Sequence, residues 1–140
     1  MAQGPSEVGK TADVGYQIGV SRTLPCSEEA IWGLLLSAEG QAIWLGGPIE
    51  VEEGARYTLA DGASGEVRVY KPWSHLRLTW QPPGWARPSL IQLRVIPAKT
   101  GTTLSFHQEH LRDGAARAEM KGRWERVIEE LLGKLPAGAG

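Results

Sequence analysis

Seven apolar side chains near the C-terminus recur at spacings of three and four: Ala116, Met120, Trp124, Val127, Ile128, Leu131 and Leu135. Arg117, Glu119, Arg123, Arg126, Glu130 and Lys134 take other positions in the same stretch. This is the pattern of one long amphipathic helix. Asp113 is placed to cap its start, and Gly133 and Pro136 mark its end. Glu119–Arg123 and Glu130–Lys134 have the i,i+4 spacing of ion pairs, each worth ~0.3 kcal/mol. No other segment of the 140-residue chain offers so large a helix. A sheet built from the remainder has one apolar face to cover, and this helix is the only element large enough to cover it.

The remainder alternates. Tyr16, Ile18, Val20, Arg22 and Leu24 share one face of a strand that Pro25 stops. Ser27 is a good N-cap, and Glu28 and Glu29 suit the positive end of a helix dipole. Ile31, Trp32, Leu34 and Leu35 give a short helix to about Leu36. Ser37 can cap a second one, which carries Ile43 and Trp44 and ends at Gly46-Gly47-Pro48. Strands are expected at Ile49–Glu52, Ala55–Ala60, Gly65–Tyr70, His75–Gln81, Ser89–Ile96 and Thr102–His110. Asp61-Gly62 is a hairpin signal. Val67 and Val69 should share a face, as should Leu76, Leu78 and Trp80. The same holds for Ile91, Leu93 and Val95, and for Leu104, Phe106, Gln108 and His110. Strands joined by short turns pair antiparallel. The expected fold class is α+β: a curved antiparallel sheet of about six or seven strands wrapped around a long C-terminal helix, with two short helices after the first strand. Residues 1–14 and 137–140 are expected to be flexible tails flanking one domain at 15–136.

Composition closes several functional classes. Net charge is −1, and Lys and Arg are interleaved with Glu and Asp, so no basic patch invites nucleic acid. No apolar run approaches the ~18 residues of a membrane-spanning helix, and the N-terminus does not read as a secretory signal. Cys26 is the single cysteine, so neither an intramolecular disulfide nor a cysteine metal cluster can form. His75, His107 and His110 lack the spacing of a helical zinc motif. A cytoplasmic setting, with no metal and no cofactor, is the expectation.

Several segments together carry a family resemblance. Glu28-Glu29-Ala30-Ile31-Trp32 lies in the first helix, Trp44 closes the second, and Gly54-Ala55-Arg56-Tyr57 opens a strand. Gly62 and Gly65 flank a hairpin turn, and Pro72 precedes Leu76-Arg77-Leu78-Thr79-Trp80. Gly101-Thr102 opens the last strand, and Trp124 lies in the last helix. In this order the chain resembles the helix-grip fold of the START-like superfamily over residues 16–135. It resembles most closely the branch named after activators of the heat-shock chaperone ATPase. The resemblance implies a cavity between the sheet and the C-terminal helix, able to hold an apolar small molecule. Relatives include lipid and hormone binders, aromatic cyclases and co-chaperone domains, so the fold alone names no activity. Family members often carry His where Gln108 stands here.

Six tryptophans and one phenylalanine raise the choice between a solid aromatic core and an aromatic-lined pocket. The expected ligand-binding residues are Trp44, Tyr57, Trp80, Phe106, Gln108, His110, Trp124 and Ile128. Trp80 and Trp124 are expected to face each other across the sheet–helix gap, while Trp32 and Trp44 close one end. Gln108 and His110 are the polar groups that would orient a ligand. Arg22 either snorkels at the sheet edge or meets a ligand carboxylate. Trp85, in the stretch Pro82–Pro88, is a candidate lid or protein contact, and Trp73 a turn residue at the core edge. No catalytic residue is assigned: no Ser/His/Asp order appears, His107 and Glu109 face away from Phe106, and Glu28-Glu29 and Glu129-Glu130 suit solvated helix positions. The leading expectation is therefore a non-enzymatic binder of a small hydrophobic or aromatic molecule. The alternatives are a co-chaperone-like interaction module and a small cyclase- or hydrolase-type enzyme.

Overall fold

The computed structural model describes residues 10–11 and 15–135. The tails expected at 1–14 and 137–140 lie almost wholly outside the described residues. Ten elements follow one another: β1 (Lys10–Thr11), β2 (Gly15–Leu24), α1 (Glu28–Leu36), α2 (Ala38–Trp44), β3 (Arg56–Thr58), β4 (Ser64–Lys71), β5 (His75–Trp80), β6 (Ser89–Ala98), β7 (Gly101–Leu111) and α3 (Gly114–Lys134). The strands form one antiparallel sheet in the order β1-β2-β7-β6-β5-β4-β3. This is the helix-grip arrangement: α3 packs on β2, β7 and α2, while α1 leans on β6 and β7.

Local chemistry sets the element ends. The Ser27 hydroxyl accepts from the Ala30 N–H at 3.1 Å and caps α1. Ser37 serves two helices at once. Its Oγ donates to the Leu34 carbonyl at 2.6 Å, near the end of α1, and accepts from the Gly40 N–H at 3.0 Å, at the start of α2. Asp113 caps α3 through the Ala116 N–H at 2.8 Å. One face of α3 is buried, formed by Ala116, Met120, Trp124, Val127, Ile128 and Leu131.

Three expectations about local structure need correction. Ile49–Glu52 is not a strand. The Ile49 N–H instead donates to Gln41 Oε1 at 2.6 Å, so a helix side chain takes the bond a neighbouring strand would have taken. Val67 and Val69 do not share a face. A β-bulge at Arg68 pairs Val67 with Leu78 and Tyr70 with Leu76, which leaves Val69 opposite Arg77. On α3, Lys134 pairs with Glu39 of α2 at 3.3 Å rather than with Glu130, and the i,i+4 ion pair that forms is Lys121–Glu125 at 2.7 Å.

Candidate functional site

The centre of the sheet–helix gap is filled. Phe106 of β7 stacks on Trp124 of α3 with ring centroids 4.6 Å apart and planes 12° from parallel. Trp44 meets the same phenylalanine at 6.4 Å. Trp44, Phe106, Gln108 and Trp124 are all 0% exposed, so none borders a space that a water molecule could enter. Ile128 is buried beside them.

A hydrogen-bond relay fixes the polar groups there. Trp124 Nε1 donates to Gln108 Oε1 at 3.0 Å, Gln108 Nε2 donates to Ser89 Oγ at 2.9 Å, and Ser89 Oγ donates to the Trp80 carbonyl at 2.8 Å. Each buried donor in the relay meets an acceptor, as burial away from water demands. Trp80 and Trp124 therefore communicate through Gln108 and Ser89 and not by facing rings. Ser89 had no place among the expected site residues. The signal for it lies in register: it opens β6 two residues before Ile91, the partner of the buried Gln108, and only the strand pairing reveals that.

Tyr57 stands at the far edge. Its hydroxyl donates to the Thr79 carbonyl at 2.5 Å. Burial, and then the nearby Asp61 carboxylate, push its phenol well above the ordinary range.

His110 departs from its expected face. Its φ is 63°, and an extra residue on β7 shifts the pairing between Tyr16–Leu111 and Ile18–Gln108. The bulge turns Leu111 into the core and leaves His110 exposed. His107 stays on the outer face, with Nε2 2.8 Å from Gln17 Oε1 and Nδ1 3.6 Å from Glu109. Arg22 pairs with Glu129 across the helix–sheet edge.

Space opens at the end of the sheet beside His110. A hollow of about 810 Å³ lies among Gly15 at the start of β2, residues 84–88, and His110, Leu111 and Arg112 ahead of α3. The sequence Pro82-Pro83-Gly84-Trp85 builds one wall. The Trp85 N–H donates to the Pro82 carbonyl at 3.2 Å, and Gly84 has φ 88°. Proline at the second position and glycine with positive φ at the third are the requirements of a type II turn. Gln81 Nε2 then holds the Trp85 carbonyl at 2.6 Å.

The Trp85 ring is clamped as well. It meets Trp80 edge to face at 5.5 Å, and the Arg112 guanidinium lies 5.8 Å from its centroid. Arg123 lies 4.9 Å over Trp80. Burial is the main influence lowering the Arg123 pKa from its usual value, against which Asp61 and Glu119 act. Trp80 Nε1 is buried and has no hydrogen-bond partner among the described residues. Trp73, at φ 69°, is by contrast 53% exposed in its turn. Among the described residues, no three His, Cys, Asp or Glu side chains are arranged to hold a metal ion, and no helix is long and apolar enough to cross a membrane.

Solved structures with this arrangement are numerous. MLL2253 from Mesorhizobium loti is 23% identical, with a TM-score of 0.72 over 84% of this chain and 94% of that one. CalU16 from Micromonospora echinospora is 21% identical, with a TM-score of 0.73 over 84% of this chain and 73% of that one. DynU16, encoded in the dynemicin biosynthetic locus, is 21% identical, with a TM-score of 0.71 over 83% of this chain and 45% of that one. At such identities the likeness shows the fold alone. No curated protein matches the chain. The model of the family described as activator of Hsp90 ATPase homolog 1-like protein matches residues 25–135, which takes in every helix and every strand from β3 onward, and the chain belongs to that family.

Proposed function

We propose that this chain is a non-enzymatic binding module for a small hydrophobic or aromatic molecule, with the hollow beside the Trp85 loop as the place of binding. The observation that carries this reading is the hollow itself, about 810 Å³ with the Trp85 indole in its wall. Small-molecule sites commonly span ~300–1,000 Å³ and are lined by apolar and aromatic groups with a few polar ones. Trp85 supplies a large apolar surface, and the type II turn fixes its backbone before any ligand arrives.

The residues expected to line a cavity then divide. His110 borders the ligand, and Trp80 stands one ring behind it. Trp44, Phe106, Gln108, Trp124 and Ile128 form the packed wall that keeps the site rigid, and Tyr57 ties down the far edge of the sheet. An enzymatic reading is less favoured, because the polar groups at the centre bond to one another. A co-chaperone-like contact through the loop is less favoured too, because the Trp85 ring is held against Trp80 and Arg112. The buried, unpaired Cys26 suits a reducing cytoplasmic setting.

The test is titration with an apolar fluorescent probe. Trp85→Ala should weaken binding at least ~tenfold, the loss of one aromatic contact of ~1.4 kcal/mol. Trp73→Ala, which removes an exposed indole from a different turn, should leave affinity unchanged. A folded Trp85→Ala protein that binds as tightly as the parent would sink the reading.

A further inference from the structure

The lining of the hollow is unbalanced in charge. Arg87 comes from the Trp85 loop and Arg112 from the connection into α3, with the His110 imidazole beside it, and among the described residues no carboxylate lines the space. Arg87 has no ion-pair or hydrogen-bond partner among the described residues. Arg112 has one, Asp113, at 3.7 Å, with both side chains more than half exposed. That carboxylate is already engaged, since its Oδ1 accepts the capping bond from Ala116. The pair is therefore loose and solvent-screened. The chain as a whole carries −1, so two guanidiniums on one wall are a local feature and not the spill-over of a basic protein.

From this we infer the class of ligand: an anionic aromatic molecule, a carboxylate or sulfonate carried on a flat apolar body. The inference rests on the binding reading above and adds the charge. Its ring meets the Trp85 indole, and its anionic group is answered by Arg87 and Arg112. Guanidinium suits the task because its planar fork matches a carboxylate or sulfonate in two bonds, and because it stays charged at every physiological pH. Arg112 is already poised over the Trp85 ring at 5.8 Å, so the charge and the aromatic surface are presented side by side. Partial enclosure strengthens such a contact relative to the same pair in open water.

Two probes with the same aromatic body separate charge from apolar binding. Anilinonaphthalene sulfonate is anionic and phenylnaphthylamine is neutral. The full chain is titrated with each, at low and high salt. The sulfonate is expected to bind about tenfold more tightly at low salt, a preference that shrinks as ionic strength screens the arginines. Arg87→Gln combined with Arg112→Gln should abolish that preference. Arg87→Lys with Arg112→Lys keeps the charge without the planar fork and should restore only part of it. Arg56→Gln with Arg68→Gln removes the same charge from β3 and β4 and should change nothing. Equal affinity for both probes, or a preference that survives loss of both arginines, overturns the anion inference while the binding reading stands. Failure of both probes to bind, or binding by both that is indifferent to Trp85→Ala, overturns the two together.

Discussion

Gln108→Leu tests whether the centre of this protein is held by hydrogen bonds or by packing alone. Gln108 is 0% exposed, accepts from Trp124 Nε1 at 3.0 Å and donates to Ser89 Oγ at 2.9 Å. Leucine is close to glutamine in size, so the change introduces neither a large cavity nor a clash. What it removes is the only acceptor, among the described residues, of a buried indole donor. An orphaned buried donor costs ~1–3 kcal/mol, and Ser89 loses one bond besides. The more apolar side chain offsets part of this, leaving an expected loss of ~2 kcal/mol. At ~3 °C per kcal/mol for a domain of this size, the melting temperature should drop by ~6 °C. The decisive measurement is a double-mutant cycle with Trp124→Phe, read by urea unfolding. Phenylalanine keeps a ring against Phe106 but has no N–H to orphan, so Gln108→Leu should cost at least ~1 kcal/mol less in that background. Costs that add to within ~0.4 kcal/mol would refute the relay and leave shape as the sole organiser of the core.

Three other substitutions follow from named contacts. Gly65→Ala places a Cβ 1.9 Å from the Thr79 carbonyl and 2.5 Å from the Tyr57 hydroxyl, and backbone cannot yield as a side chain can. It should cost ~3 kcal/mol or more in urea unfolding, and a loss under ~1 kcal/mol would show that β4 can move away from β5. Ser37→Ala removes a hydroxyl bonded to both short helices and should lower stability by ~1 kcal/mol in thermal melts, whereas an unchanged melt would mean water replaces it without loss. The His75 imidazole is held below its usual pKa by burial first and then by Arg94, Arg77 and Lys71. The unfolded chain therefore takes up this proton before the folded one does. Stability should fall as pH drops from about 6.5 toward the lower folded value, and well above about 6.5 it should be indifferent to His75. His75→Gln should flatten that part of the stability–pH curve, and identical slopes for parent and variant would remove the effect.

The long helix was legible because its signals are local and mutually consistent: a cap at Asp113, apolar residues every third or fourth position, and glycine and proline at the end. The double role of Ser37 was half legible, since its cap on α2 shows in sequence and its bond back to Leu34 does not. The content of the gap was illegible for a different reason. Whether Trp44, Phe106 and Trp124 enclose space or fill it depends on how Gln108 and Ser89 meet, and that is decided by the register of β6 against β7. No composition or periodicity carries a register. The loss of the strand at Ile49–Glu52 has the same origin: Gln41, eight residues upstream, competes for the Ile49 N–H once α2 is in place.

The two β-bulges show how a single extra residue redirects chemistry. Strict alternation along β7 would send His110 inward beside Gln108 and expose Leu111, leaving a charged-capable ring in the core and an apolar side chain in water. The bulge reverses both: Leu111 is buried, and His110 and Arg112 come to the hollow. Histidine accepts positive φ better than most side chains, so the residue at φ 63° is one that tolerates the turn. At Arg68 the same device lets Tyr70 reach the core side and stack with Trp32 at 6.4 Å, while Val69 turns outward. The bulge on β7 thus sets the character of the proposed site. It places an imidazole and a guanidinium across from the Trp85 loop without any basic cluster in the sequence, and a fold whose interior is already full gains a polar-rimmed site at its end.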